Sequence, residues 1–416
     1  MSLSTVIIGV GAAGNKAAIQ VLKDNIMDKS QILLLNSTIR DVPEDYKDLC
    51  IEFGDIKGCG KERELAKKMI MSSMQNNQVN LDEFLRRSKS KIVTIVSSSE
   101  GGTGSGASVL IAQYIDYINN QMKQKNPNYK PYKIHMVVFT GFEDDARGLK
   151  NTVDWFNDLN SSYTVEAISN QNFMNEAKSR EEAEDMANKE FAKRMSIYVG
   201  NYIVPSDDNM DDTDLYKTVT TPGYLMIEHT NIEKLKSTED FDNLLEEMIE
   251  NSRSLDTEVG STRIGVIINT TQKNRSYMDE TFKLIKEKYG TPYEFYKHFQ
   301  NTDSDEFVQV IVSGAKLPID SIKKTYDKYT KQMEAIDFKK DDFFNSKDKF
   351  DTSIGNSLDF DLGAGEFMSE ESQKDMEDAK DNFFSTFAPS TQTNSFATGF
   401  SNTIKNKKLS VTKNEL

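Results

Sequence analysis

The stretch Ser97-Ser-Ser-Glu-Gly-Gly-Thr-Gly-Ser-Gly106 follows the β-branched run Lys91-Ile-Val-Thr-Ile-Val96 and precedes the apolar run Ala107-Ser-Val-Leu-Ile-Ala112. The first run reads as a buried strand and the second as a helix. Four of the six residues from Gly101 to Gly106 are glycine, so the backbone between strand and helix can approach a ligand closely. A helix N-terminus at this point favours negative charge. The spacing predicts a turn that holds a phosphate chain. A flexible Gly/Ser surface loop is the alternative, but a linker has no reason to be flanked so closely by regular elements.

Two further glycine turns occur upstream. Thr5-Val-Ile-Ile-Gly9 reads as a strand running into Gly9-Val-Gly11-Ala12-Ala13-Gly14-Asn15-Lys16, with Ala17 to Leu22 continuing as a helix. Formally this is the Gly-x-Gly-x-x-Gly dinucleotide fingerprint. A nicotinamide enzyme would want an acidic residue at the end of the second strand to hold a ribose. Ser30-Gln-Ile-Leu-Leu-Leu35 ends instead in Asn36-Ser37-Thr38, which weighs against an oxidoreductase. The third turn, Gly58-Cys59-Gly60-Lys61-Glu62-Arg63-Glu64, opens a helix through Ile70. Glu62 after Lys61, and Gly54 one residue out of register, exclude a Walker A loop.

Gly-Gly-Thr-Gly-Ser-Gly at 101–106 is the signature of the tubulin/FtsZ superfamily, and the 58–64 string resembles its plasmid and phage branch, TubZ. The resemblance covers about residues 1–335. It implies a GTPase of α/β class: a Rossmann-like parallel-sheet GTP-binding domain, a long central helix, a second smaller α/β domain, then a C-terminal helix and tail. It implies GTP/GDP and Mg²⁺ as cofactors. The nucleotide-binding residues it implies are Gly11, Ala12, Ala13, Asn15 and Asn36, then Gly58, Cys59, Gly60 and Lys61, and Gly101, Gly102, Thr103, Gly104, Ser105 and Gly106.

Base and ribose contacts are implied for Glu143 and Arg147, which follow Phe142 after the strand Lys133–Val138, and for Asn170 and Asn188. A carboxamide both donates and accepts hydrogen bonds, as a base edge requires, although two asparagines could serve guanine or adenine. From the pattern alone, Glu143 and Arg147 could be a helical i,i+4 pair. Asn170 could close a turn, and Asn188 open an ordinary core helix whose stripe is Phe191, Met195, Tyr198 and Tyr202.

Asn209-Met-Asp211-Asp212-Thr-Asp214-Leu215 has the spacing of the catalytic loop of FtsZ. Without that context an acidic loop reads as solvated surface. With it, Asp211, Asp214 and Asn209 are the candidate catalytic residues. Carboxylates suit γ-phosphate hydrolysis, which needs a positioned water and a cation more than covalent help. In the family these residues lie on the far side of the subunit from the glycine turns. One subunit then completes its neighbour's site, and the head-to-tail contact builds a filament.

The expected boundaries are 1–186 for the GTP-binding domain, 187–204 for the central helix and 205–219 for the catalytic loop and following helix. They continue with 220–317 for the second domain, carrying strands at Gly223–Glu228, Arg263–Ile268 and Phe307–Val312. A charged helix over 318–337 and a largely disordered tail over 338–416 complete the chain.

At 416 residues there is room for two domains and a tail. The net charge of −15 argues against direct, general nucleic-acid binding. Cys50 and Cys59 are the two cysteines, and the sequence shows no signal-like segment or apolar run long enough for a bilayer, so a cytoplasmic protein without membrane attachment is expected. His135, His229 and His298 have no ligand spacing to each other or to the cysteines, so no structural zinc site is expected. Self-assembly and a DNA-binding adaptor, docked by the tail through Lys405, Lys407, Lys408 and Lys413, are the expected partners. The cargo would be plasmid or phage DNA, with a phage DNA-positioning tubulin, an FtsZ-like division protein or a non-hydrolysing nucleotide-binding scaffold as alternatives.

Overall fold

The computed structural model describes residues 3–198, 210–232, 235, 237–257, 260–302 and 305–345. These lie in one compact unit, Met1–Ser346.

The chain begins with strand β1 (Thr5–Val10), helix α1 (Gly11–Lys23), β2 (Ile32–Asn36) and β3 (Cys50–Glu52). There follow α2 (Arg63–Gln75), α3 (Leu81–Ser88), β4 (Ile92–Ser98), α4 (Gly102–Lys125), β5 (Lys133–Thr140), α5 (Ala146–Asn157) and β6 (Thr164–Ser169). The central helix α6 (Arg180–Tyr198) and the short α7 (Asp212–Val219) precede β7 (Gly223–Asn231) and α8 (Thr238–Glu250). The last elements are β8 (Arg263–Thr270), α9 (Tyr277–Tyr289), β9 (Glu294–Asn301), β10 (Phe307–Ala315) and α10 (Ile319–Asn345).

Among the described residues ten strands form one sheet, in the order β3-β2-β1-β4-β5-β6-β7-β10-β8-β9. From β3 to β7 every pairing is parallel. That arrangement follows from composition: β1, β2 and β6 are buried along their whole length, as strands covered on both faces by helices must be. Beyond β7 the sheet is mixed, with β10 antiparallel to both β7 and β8 and β9 parallel to β8.

The two halves meet at a narrow seam. β6 and β7 are in register only at Thr164–Gly223 and Val165–Tyr224. Above that point the segment 253–255 takes the place of β7, with Ser169 N donating to Arg253 O at 2.8 Å and Leu255 N to Ala167 O. The wedge is filled by charge. Arg194 of α6, almost fully buried, donates to Glu166 Oε1 (2.6 Å), to Ser254 Oγ (3.1 Å) and to Glu190 Oε1 (2.7 Å), and lies 3.9 Å from Glu228. Burial alone would raise the Glu166 pKa, but Arg194, together with His135 at 3.3 Å, reverses this and holds it low. Glu228, left with hydroxyl donors from Ser252 and Ser254, is raised by burial despite Arg194.

α6 runs against the strand direction: the carbonyl of its last residue, Tyr198, accepts from Leu3 N just before β1. The strands' trailing edge, where β1 and β4 end, therefore lies at the opposite end of α6 from Tyr198. Several boundaries differ from those read in the sequence. α6 begins at Arg180 rather than 187, because Glu181 and Glu182 suit a first helical turn, and α10 continues to Asn345. The expected end of the central helix, 199–204, lies outside the described residues, as does the tail from 346 on.

Candidate nucleotide site

Three glycine turns meet at the trailing edge of the sheet. α1 starts directly at Gly11, which has φ of +75°, and α4 starts at Gly102. Neither helix has a side-chain cap and neither carries an acidic residue in its first turn. Their unpaired amides and positive dipole ends are therefore left for an anion. The turns are interlocked. A Cβ on Gly11 would stand 2.9 Å from Gly104 N, and one on Gly104 3.0 Å from Val10 O. A Cβ on Gly14 would overlap the Val96 carbonyl, and one on Gly102 would stand 2.6 Å from Glu62 N.

The third turn is held from below by Arg63, which is buried and donates to Ser105 O (3.3 Å) and Asp158 Oδ2 (2.8 Å), with Lys67 reaching the same carboxylate at 3.0 Å. Asn151 Nδ2 ties it to the 97–106 turn by donating to both Lys61 O (3.1 Å) and Glu100 O (2.8 Å). Ser37 Oγ and Thr103 Oγ1, 2.9 Å apart, join the end of β2 to α4.

The outlines left by these contacts are specific. Gly58, Gly60 and Gly101 face open space, and Gly58, Gly60 and Lys61 adopt positive φ. Ala12 is exposed and Ala13 and Thr103 partly so, while Ser105 Oγ turns back to bond Gly101 O. Gly106 is spent on packing, since a Cβ there would overlap Arg63 O. Cys59 is buried with its Sγ 3.8 Å from Met69 Sδ, so its side chain is occupied in the core and only its backbone borders the turn. Asn15 is buried with both amide atoms lacking a protein partner, and so is Asn36 Nδ2. Buried carboxamides without partners are rare and mark a place where a ligand or water completes the bonding.

The ribose-side residues are placed differently from one another. Asn170 opens a 3₁₀ turn (Asn170–Phe173) packed against α6, with a buried, unpartnered Oδ1, and Asn188 is buried in α6 itself. Glu143 precedes α5, and bonds Lys328 of α10 while its carbonyl accepts from Gln332 Nε2 at 3.2 Å. Arg147 instead pairs with Glu62 at 2.6 Å. The i,i+4 helix pair is thus corrected: α5 starts only at Ala146, so Glu143 is not on it, and each residue has found another partner.

Sequence reading missed the charges that surround the turns. Lys61 bonds Asp145, and Arg180 bonds Asp144 while stacking over Phe142 at 4.9 Å. Burial alone would raise the Asp145 pKa, but Lys61 more than offsets it and holds it low. Glu100, inside the stretch first quoted, is pushed up to about 7 by burial, with Asp145 and Asp144 opposing its ionisation and Lys61 favouring it.

The acidic turn lies elsewhere. Asp211 caps α7, its Oδ1 accepting from Asp214 N at 2.8 Å. α7 packs on β8 and β10. A Cβ on Gly265, near the start of β8, would meet Met210 Cε at 2.8 Å and Thr218 Cγ2 at 3.6 Å. The α7 exit reaches the edge where strands begin, with Thr164 Oγ1 donating to Thr221 O. Asp211 and Asp214 are therefore not brought to the glycine turns of their own chain; Asn209 lies outside the described residues. Among the described residues no group of three or more His, Cys, Asp or Glu could hold a metal, and no helix is long and apolar enough to cross a membrane.

No family model matches the chain, and no curated protein sequence matches it. Solved structures do. TubZ of Clostridium botulinum phage c-st is 17% identical with a TM-score of 0.60, covering 80% of this chain and 100% of that one. A GTPγS-form protofilament of Bacillus thuringiensis serovar israelensis TubZ is 14% identical with a TM-score of 0.66, covering 82% and 94%. CetZ2 from Haloferax volcanii, a GTPγS-bound protofilament, is 16% identical with a TM-score of 0.61, covering 80% and 100%. The chain has the tubulin/FtsZ fold that these structures share.

Proposed function

We propose that this chain is a tubulin-like GTPase that assembles head-to-tail into GTP-dependent filaments. The observation that carries the reading is the convergence of three interlocked glycine turns on two uncapped helix N-termini, beside the unpartnered amides of Asn15 and Asn36. That arrangement fits a nucleotide phosphate chain. The solved neighbours include GTPγS-form and GTPγS-bound protofilaments, which favours guanine and self-assembly.

The acidic turn supports a shared site. Asp211 and Asp214 stand at the end of the subunit away from the glycine turns, so stacking subunits would carry them onto the neighbour's γ-phosphate. There they orient the attacking water. Mg²⁺ bound with the nucleotide would neutralise phosphate charge; the carboxylates of Asp211 and Asp214 are suitable donors, though among the described residues no closed metal cage exists. The buried carboxamides of Asn170 and Asn188 suit the reading of a base edge, which needs both a donor and an acceptor.

At the cellular level the reading is a cytoplasmic filament in a bacterial host, moving plasmid or phage DNA through a DNA-binding adaptor docked on the tail. The TubZ neighbours and the basic residues from Lys405 to Lys413 favour it. The test is light scattering with parallel phosphate release after addition of GTP, GTPγS or ATP. Scattering that rises and decays with GTP, persists with GTPγS and is absent with ATP is expected. No assembly and no turnover with any of the three would overturn it.

A further inference from the structure

Glu100 is a carboxylate in a turn otherwise built for anions. Its backbone is fixed: the amide donates to Ser98 Oγ at 3.2 Å and the carbonyl accepts from Asn151 Nδ2 at 2.8 Å. The side chain fills a slot made by two glycines of other elements. A Cβ on Gly141 would overlap the Glu100 carboxyl group, and one on Gly148 would stand 3.2 Å from Glu100 Cβ and Cγ. The carboxyl group is thus packed against both glycines rather than standing free in solvent.

The groups that face it decide the balance. From the third glycine turn comes Lys61, whose hydrogen bond goes to Asp145. From the turn before α5 come Asp145 and Asp144, the latter bonded to Arg180, together with the Phe142 amide, which bonds the carboxylate. From α5 itself come Gly148 and Asn151, neither of them titratable. Glu100 and Asp145 thus share Lys61, while Asp144 has Arg180.

We propose that Glu100 is a proton-linked gate on the nucleotide site: it takes a proton from solvent as a phosphate chain binds, so that nucleotide affinity falls as pH rises. The proposal rests on the nucleotide reading above. A phosphate chain at the N-terminus of α4 adds negative charge two residues from Glu100 and draws Lys61 toward itself, leaving the carboxyl cluster short of a cation. Burial already pushes the Glu100 pKa up to about 7, so the proton is taken up near neutrality.

The experiment is calorimetric titration of GTPγS into the full chain between about pH 6 and 8.5, in buffers of different ionisation enthalpy, with Glu100→Gln alongside. Gln keeps the shape of the protonated acid, and the variant subtracts the nucleotide's own titration. Wild type should take up a proton on binding and lose affinity by up to about tenfold per pH unit above neutrality, while E100Q should bind with a shallower pH profile. Should E100Q not fold, the proton count for the wild type decides alone: uptake beyond that of the free nucleotide supports the gate, and none overturns it. Binding with the same pH slope in both proteins also overturns it. Absence of GTPγS binding to the wild type at every pH overturns the nucleotide reading itself, and the gate with it.

Discussion

Gly11 and Gly104 meet backbone to backbone: a side-chain carbon on the first would stand 2.9 Å from the nitrogen of the second. The contact locks the 9–16 and 97–106 glycine turns into one surface, and φ of +75° at Gly11 disfavours a side chain on conformational grounds as well. Gly11→Ala should therefore lower stability by about 1–3 kcal/mol and weaken GTPγS binding more than tenfold. Thermal melts and titration check both. Unchanged binding would mean that the interlocked turns are packing alone.

The seam between the parallel and mixed parts of the sheet depends on Arg194. Removing it leaves Glu166 and Glu190 charged without their cation, with Glu166 almost fully buried. Arg194→Met should cost about 3–5 kcal/mol, measured by denaturant unfolding. Adding Glu166→Gln should recover part of that loss, because the two act as a unit. Equal costs for the single and double variants would show that the pair is not coupled.

The pH dependence of stability has a predictable sign at Glu100. Its pKa is raised from 4.5 to about 7 in the folded chain, so between those values the native state holds a proton that the unfolded chain gives up. Its contribution is complete below the unfolded pKa and lost as pH rises through about 7. E100Q should match wild type near pH ~4 and melt higher than it above pH ~8, by on the order of 2 kcal/mol. Parallel melting curves across the range would contradict the assignment.

Asp211 has two separable roles. As the cap of α7 it accepts from Asp214 N at 2.8 Å, and Asp211→Ala should cost about 1 kcal/mol, whereas Asn caps as well as Asp. Asp211→Asn should therefore keep the melting temperature yet abolish GTP hydrolysis while leaving assembly intact, giving filaments that do not decay. Wild-type turnover in Asp211→Asn would reduce the residue to a cap.

Much of the fold was legible because its strands and helices are strongly patterned. The apolar runs at Thr5–Gly9, Lys91–Val96 and Lys133–Val138 became β1, β4 and β5 within a few residues, and the stripe of Phe191, Met195 and Tyr198 became the buried face of α6. The edge strands were not legible. β3 is three residues long, and β9 carries Glu294, Lys297 and His298 on a half-covered edge, where one-sided burial leaves no apolar run. Glycine turns are visible in sequence because only glycine tolerates the approach; their partners are not, since Asn151, Asp145 and Arg63 come from distant segments and carry no local pattern. Arg194 had a local signal: it stands three residues after Phe191, on the buried face, where a cation needs carboxylates around it.

Under the proposed function, the active site is completed only when one subunit's acidic turn meets another's glycine turns. The most direct test of this is the rate of GTP hydrolysis per subunit as protein concentration is raised through the assembly threshold. Almost no turnover is expected below the threshold and a steep rise above it, in step with light scattering. A rate per subunit that is constant at all concentrations would place hydrolysis within a single chain and contradict it.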